Sequence, residues 1–314
     1  MSQFNAPHFQ TVEAARAYLE KLRWGNDRVC PHCGVVNSSF ATKKPGVYRC
    51  STKECRKDFS VTTKSVMESS HIKLNVWLQA FYLMAASKKG ISSHQLHRAL
   101  GITYKSAWFL THRIREAMRV GGLVAPLGGK GTVVEADETY FGPVAKAKVR
   151  TTKTSGEPFT KSGRTGPSNK RAIVSLVERG GEVRSFHVAV ADANTVANIV
   201  NANIHHETIL HTDESRLYTR VGDNFALHET VNHSRKEYAR GDVTTNSVEG
   251  YFSIFKRGMK GNYQHCAEKH LHRYLAEFDF RFNHRIKLGF TDGERADLAV
   301  KGAAGKRLTY RQSH

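Results

Sequence analysis

Four of the five cysteines fall within the first 55 residues, and their spacing constrains the N-terminal fold more than any other feature of the chain. Cys30-Pro31-His32-Cys33-Gly34 is a knuckle whose glycine lets backbone amides turn toward the sulfurs. Cys50 and Cys55 form a second pair, separated from the first by sixteen residues and from each other by four. Two such pairs suit one tetrahedral Zn2+, which takes four thiolates at about 2.3 Å. Basic neighbours (Arg28, Arg49, Lys53, Arg56, Lys57) favour the ionised sulfurs. Two disulfides are the competing reading, but nothing in the sequence indicates an oxidising compartment. Cys266 stands alone and is read as a plain thiol.

Between the pairs, SSFATKKPGVYRC reads as strand, Pro-Gly turn and strand, and KDFSVTT continues as a third strand. This is a zinc-ribbon pattern, a sheet too thin to hold itself without metal. Ahead of it, residues 11–24 place Val12, Ala15, Tyr18, Leu19 and Leu22 on one helical face, which is expected to pack on the ribbon.

Charge adds a partner. Over 314 residues, 48 Lys+Arg stand against 28 Asp+Glu, a formal charge of +20. Such an excess repels itself unless it is diluted along the surface or matched by a polyanion, and the phosphates of double-stranded DNA would match it. The longest apolar run, VWLQAFYLMAA at 76–86, is too short to span a bilayer. The N-terminus lacks a secretory pattern, so no membrane role and a cytoplasmic location are expected.

Residues 72–88 are apolar around much of a helix and predict a buried one, ended by Lys89-Gly90. Ser92 and Ser93 can cap a second helix, and Gly101-Ile102 turns the chain into a third at 103–119. That is a helix-turn-helix outline. Tyr104, Lys105, His112, Arg113 and Arg115 are its candidate DNA contacts, with Ala107, Leu110 and Ile114 facing inward.

After a Gly-rich joint at 121–131, TVVEADETYFG alternates as a strand that puts Asp137 on one face with Val133 and Glu135, and Glu138 on the other. Residues 172–190 form a hairpin, a helix follows at 194–205, and TILHTDES is a strand ending in Asp213. This order is the one expected of an RNase H-like layer, in which carboxylates at neighbouring strand ends converge. In residues 246–260, Val248, Tyr251, Phe252, Phe255 and Met259 make one apolar stripe. Glu249 and Lys256 lie at its edge, seven residues apart, and Asn246 sits one turn before Glu249. The fold class is therefore α/β, a mixed sheet with flanking helices behind a zinc ribbon and a helix-turn-helix region.

EADETYFG, HTDES and TTNSVEGYFSIFKRG, behind a Cys-Pro-x-Cys-Gly ribbon, resemble bacterial insertion-sequence transposases of the DDE superfamily. The likeness runs from about residue 15 to about 285 and is specific in the combination of its motifs. It implies that Asp137, Asp213 and Glu249 hold catalytic metal and that Lys256 contacts DNA near the active site, with Arg257 a further DNA candidate. Two departures stand out: such ribbons usually have two residues inside the second cysteine pair, and some relatives carry Asn at the third acidic position. Asn246 therefore stays open as an alternate or additional third ligand.

Three carboxylates at one spot suit phosphodiester chemistry, in which two Mg2+ ions about 3.5–4 Å apart stabilise the attacking and leaving oxygens; Mn2+ is a possible substitute. The resemblance implies a homo-oligomer working on the terminal inverted repeats of a mobile element and on target DNA. Rival readings are a retired transposase acting as a DNA-binding regulator, and an RNase H-like nuclease that cuts without joining. The basic, Gly/Ser/Thr-rich segment 145–171 reads as a phosphate-gripping arm or a solvated linker. Helix 268–285 should close the domain, with Arg281, His284 and Arg285 as further DNA candidates. The expected divisions are helix and ribbon (1–66), helix-turn-helix region (67–125), catalytic domain (126–290) and basic tail (291–314).

Overall fold

The computed structural model describes residues 3–121, 124–144, 150–151, 158–159, 169–218, 221–232 and 239–309. In chain order its elements are α1 (Pro7–Gln10), α2 (Val12–Trp24), β1 (Ser39–Ala41), β2 (Val47–Cys50), β3 (Asp58–Ser60), α3 (Leu74–Ala86), α4 (Ser93–Leu100) and α5 (Tyr104–Met118). They continue with β4 (Val133–Pro143), β5 (Arg150–Thr151), β6 (Pro158–Phe159), β7 (Lys170–Glu178), β8 (Val183–Val188), α6 (Ala193–Asn203), β9 (Ile209–Asp213) and β10 (Leu227–Val231). The last are α7 (Asn246–Gly258), α8 (Leu271–Asn283) and α9 (Asp292–Lys301). Two compact units result, one of residues 1–120 with 284–314, the other Gly121–Asn283.

In the first unit, Thr11 caps α2 by accepting the Ala14 amide proton, and the helix ends at Gly25 with φ +59°. Trp24, at its last turn, meets Tyr48 and Phe59 edge-on at 5.8 and 5.9 Å, so α2 does pack on the antiparallel β1–β2–β3 ribbon. The ribbon buries only Phe59 and two of its cysteines, Cys30 and Cys50. Ser92 and Gln95 make a reciprocal capping box that starts α4, and Gly101 ends it in the left-handed conformation (φ +62°). The glycine is what allows the turn into α5.

The second half of α5 departs from the sequence expectation. Ala107, Leu110 and Ile114 are buried as predicted, but so are His112, Arg113 and Arg115, which removes these three from the candidate DNA contacts. For Arg113 the reason is the main chain at residues 68 and 308. Arg113 donates to the carbonyls of Glu68 and Leu308, each at 3.2 Å, and Lys306 Nζ donates to that of Ala117 at 2.9 Å. Arg115 donates back to Thr111 Oγ1 at 3.1 Å. Of the five candidates only Tyr104 and Lys105, in the first turn, are exposed. The stretch read as a basic tail from 291 instead forms α9, opened by a Thr291–Glu294 capping box and packed on α3 and α5, and residues up to 309 follow an ordered course.

In the second unit a five-stranded sheet has the order β10–β9–β4–β7–β8. β9 runs parallel to both β4 and β10, whereas β4–β7 and β7–β8 are antiparallel. One face packs Val134, Ala136, Val174, Leu176 and Leu210 against Val196 and Val200 of α6. The other packs Ile173, Val177 and Val183 against the Val248, Tyr251, Phe252, Phe255 and Met259 stripe and against α8. This is the mixed, helix-flanked sheet of the RNase H-like class. β10 is not legible in the sequence, since LHETV carries three consecutive polar residues and lies at the sheet edge. Arg281 is buried in α8 against Glu277 and not on the surface where the sequence suggested a DNA candidate. Of the basic segment 145–171, only β5, β6 and residues 169–171 are described; the arm or linker reading lies outside the described residues. Among the described residues no helix is long and apolar enough to cross a membrane.

Candidate active site and metal centre

The four N-terminal sulfurs lie within 4.8 Å of one another. Cys30–Cys55 and Cys33–Cys50 are 3.9 and 3.7 Å apart. A tetrahedron with arms of about 2.3 Å has edges of about 3.8 Å, so the separations fit a shared ion and are far too long for disulfides. The knuckle is made by the backbone: Cys30 N–H donates to Val35 O, Gly34 N–H to Cys30 O, and Gly34 adopts φ +80°. The longer second pair is accommodated by a turn in which Cys55 and Arg56 amides both reach Thr52 O, with Arg56 itself at φ +48°. Hydrogen bonding from Thr52 draws the Cys50 thiol down to about 7. This four-cysteine cluster suits a structural zinc site.

The acidic residues meet where two strands part. β4 and β9 pair in register through Val133–Ile209, Val134–Leu210 and Glu135–His211. Asp137 and Asp213 each stand two residues beyond the last pair, so they are level with each other at the C-terminal mouth of the crevice. β4 continues beside β7, with Asp137 opposite Ser175. Asp137, Asp213 and Glu138 place carboxylate oxygens within 4.8 Å of one another. All three are half-buried.

Strand alternation turns Glu138 to the face opposite Asp137, which argues against it in the sequence. It does turn toward the α6 side, where Tyr218 Oη donates to it at 3.0 Å and Ser215 Oγ at 3.4 Å. Its carboxylate still joins the cluster because β9 no longer lies alongside β4 at that level. Its adjacency to Asp137 is the one signal that could have found it. Ser215, in turn, donates its amide proton to Asp213 Oδ1 at 3.0 Å, which ties the end of β9 to the same cluster.

Electrostatics mark the spot as short of positive charge. Burial, then the charges of Glu138 and Asp213, and more weakly that of Glu249, push the Asp137 carboxyl up to about 8. Burial and Asp213 raise Glu138 as well. Carboxyl groups pressed together in this way are a donor set for a hard cation.

On α7, Glu249 is exposed, accepts from Thr245 Oγ1 at 3.3 Å, and acts on Asp137 through its charge without joining the close cluster. Asn246 is the exposed first residue of the helix. Burial lowers the Lys256 ammonium and the Asp137 charge partly restores it. Arg257 is exposed. Glu135 shares the Asp137 face but is fully buried and engaged elsewhere, with Arg179 and the start of α7. Neither His211 nor His228 belongs to the acidic cluster.

A mixed RNase H-like sheet with acids at a strand crevice, in a chain that also carries a four-cysteine ribbon, defines the class: the DDE superfamily, whose members cleave DNA. The sequence pattern of the ISXO2-like transposase domain matches residues 126–283, and that of a transposase zinc-ribbon domain matches residues 10–58. The chain belongs to the ISXO2-like transposase family. An uncharacterized protein in transposable element ISH50 of Halobacterium salinarum is 27% identical over 276 residues, covering 87% of this chain and 91% of that one. Among solved structures, a chain of the simian T-cell lymphotropic virus intasome in complex with a PP2A regulatory subunit is similar at TM-score 0.29 and 14% identity, over 59% of this chain and 67% of that one. A pre-cleavage Mos1 transpososome is similar at TM-score 0.25 and 14% identity, over 69% and 75%.

Proposed function

We propose that this protein is an active bacterial transposase that binds the ends of its own mobile element and carries out Mg2+-dependent strand cleavage and strand transfer. The observation that carries the reading is the crevice between β4 and β9, where Asp137 and Asp213 stand level and Asp137 holds its proton up to about 8. Bound Mg2+ would supply positive charge to the scissile phosphate and lower the cost of ionising this acid cluster. Asp137 and Asp213 would hold it, with Glu249 as the third ligand because its charge reaches Asp137; Asn246 is the alternative and Glu138 an additional carboxylate within reach. Mn2+ would serve in place of Mg2+.

Water attacks the phosphorus at the element end and the 3′ oxygen leaves with a proton. That 3′ hydroxyl then attacks a phosphodiester of the target, so one bond forms for each that breaks and no external energy is consumed. Lys256 and Arg257 hold the DNA backbone beside the acids, and Tyr104 and Lys105 contact it from the first turn of α5. A homo-oligomer in the cytoplasm, assembled on two element ends, is the working form, and Zn2+ in the ribbon is structural.

The experiment is incubation of the purified protein with element-end DNA, with and without Mg2+. Metal-dependent nicks followed by joined products support the proposal. Nicks without joining point to a nuclease, and specific binding without cleavage to a regulator. Asp213→Asn should bind DNA and not cut it; full activity in that variant would sink the site assignment.

A further inference from the structure

We propose that Glu135 and Arg179 are positioning residues, a buried clamp that sets where α7 presents its acidic residue to the Asp137–Asp213 pair. The inference rests on the metal-dependent reading above and adds to it a pair that touches neither metal nor DNA.

A helix leaves its first amide protons without intrahelical partners, and a side chain at the N-cap normally accepts one. Thr245, the N-cap of α7, makes no such bond. Glu135 takes that part from the neighbouring strand. Its Oε2 accepts the amide protons of Ser247 and Val248 at 2.7 and 3.0 Å, and its Oε1 accepts Ser247 Oγ at 3.0 Å. Arg179, at the end of β7, completes the set with Nη2 and Nε to Oε1 at 2.9 and 3.2 Å. The same guanidinium donates to the carbonyls of Asp242 and Thr244, at 2.9 and 3.3 Å, and so holds the approach to the helix too.

The placement has a direct geometric consequence. Glu135 is two residues before Asp137 on the same strand face, and Val248 is the residue before Glu249. The clamp therefore links the first acid to the third through one strand repeat, about 7 Å, and one helical residue. The apolar stripe of α7 fixes which side of the helix meets the sheet, but a greasy stripe tolerates small slides and rotations. Hydrogen bonds to two successive amides do not. A carboxylate buried at 0% exposure costs free energy to desolvate, and stability alone does not require it, since a buried ion pair is often replaceable by apolar side chains without loss. What the pair uniquely supplies is a fixed direction and register for the helix start.

The test uses the full-length zinc-loaded protein and the variants Glu135→Gln/Arg179→Met and Arg179→Lys. The double variant removes both charges, so neither is stranded, while the Gln oxygen keeps one acceptor for the helix start. Mn2+ binding followed by electron paramagnetic resonance is the readout besides activity, with amide exchange at Ser247 and Val248 beside it. The expected result is faster local exchange with an unchanged melting temperature for the rest of the unit. With it, the affinity of the more weakly held Mn2+ falls about 10–100-fold, as is usual for groups that orient metal ligands. Cleavage loses kcat by a similar factor while KM for DNA stays put, and Arg179→Lys recovers part of the loss. Mn2+ affinities and kcat within about twofold of the unmutated protein overturn the inference, judged against that same range. So does a uniform loss of stability, both ions and DNA affinity, which would make the pair merely structural. If the unmutated protein neither binds Mn2+ nor cuts DNA, the metal-dependent reading falls first and takes this inference with it.

Discussion

Replacing Asp137 by Asn should make the metal-free protein more stable while destroying its chemistry. Two unit charges at the 4.8 Å limit of the acid cluster repel by about 3.5 kcal/mol at an effective dielectric of about 20. Burial first, and this repulsion after it, keep the proton on Asp137 in the folded protein, so its carboxyl rises from the usual 3.8 to about 8. The unfolded chain ionises the same group near its ordinary value, so between these two values the folded state binds more protons. The Asp137 contribution to stability therefore falls as pH climbs through that window and levels off above it; the Asn variant lacks this contribution and keeps only those of other raised carboxyls, Glu138 and Asp279. Each unit is worth at most about 1.4 kcal/mol, a ceiling of about 4 kcal/mol between about pH 5 and about pH 8. Partial exposure of the cluster and sharing of the proton among its members reduce the expected gain to about 2 kcal/mol.

For a unit the size of Gly121–Asn283 that corresponds to about 4–8 °C in melting temperature. Scanning calorimetry in buffers freed of Mg2+ and Mn2+, with zinc left in place, reads it directly. The Asn variant should melt above the native protein at about pH 8 and by much less at about pH 5. Added Mg2+ should raise the melting temperature of the native protein alone, since only a ligand bound by the folded state stabilises it. A gain that is the same at both pH values, or a variant less stable at the higher one, would refute the reasoning that burying and crowding these acids stores the strain.

Three further outcomes are expected. Cys50→Ser should lower zinc from one ion per chain by elemental analysis and open the ribbon to limited proteolysis, because it loses most of a metal-binding free energy of about 10–16 kcal/mol that its few buried side chains cannot replace. Lys105→Ala should weaken DNA binding and reduce the slope of log affinity against log salt by about one, whereas Arg115→Met, altering a buried side chain, should change the melting temperature and leave that slope intact. Phe255→Ala, at the centre of the core between α7, α8 and the sheet, should cost about 3–5 kcal/mol in urea unfolding, with the loss confined to the second unit.

The parts of this protein legible in its sequence are those governed by local rules. Cysteine spacing foretold the four-sulfur cluster, since ligands a few residues apart can reach one ion only by closing a knuckle. Periodicity foretold the α7 stripe, because 3.6 residues per turn maps a one-dimensional pattern onto one face, and all five of its apolar residues are buried. Alternation along β4 put Asp137 and Glu135 on one side and Glu138 on the other, as they are.

Alternation carries no information on which strand lies next door or where it leaves. That is why it argues against Glu138 and keeps Glu135 as a spare, when the first joins the acids and the second is locked against Arg179 and the start of α7. The same blindness affects α5. Its basic residues read as a surface meant for phosphates, yet Arg115 is buried, and Arg113 is buried against the main chain at Glu68 and Leu308, 45 and 195 residues away in sequence. Local sequence determines which face of an element is apolar and which side chains are close along the chain. Burial of a charge, and the meeting of carboxylates 76 residues apart such as Asp137 and Asp213, depend on which elements become neighbours. Only the tertiary fold decides that, because the cost of crowding like charges is met by packing energy gathered across the whole unit.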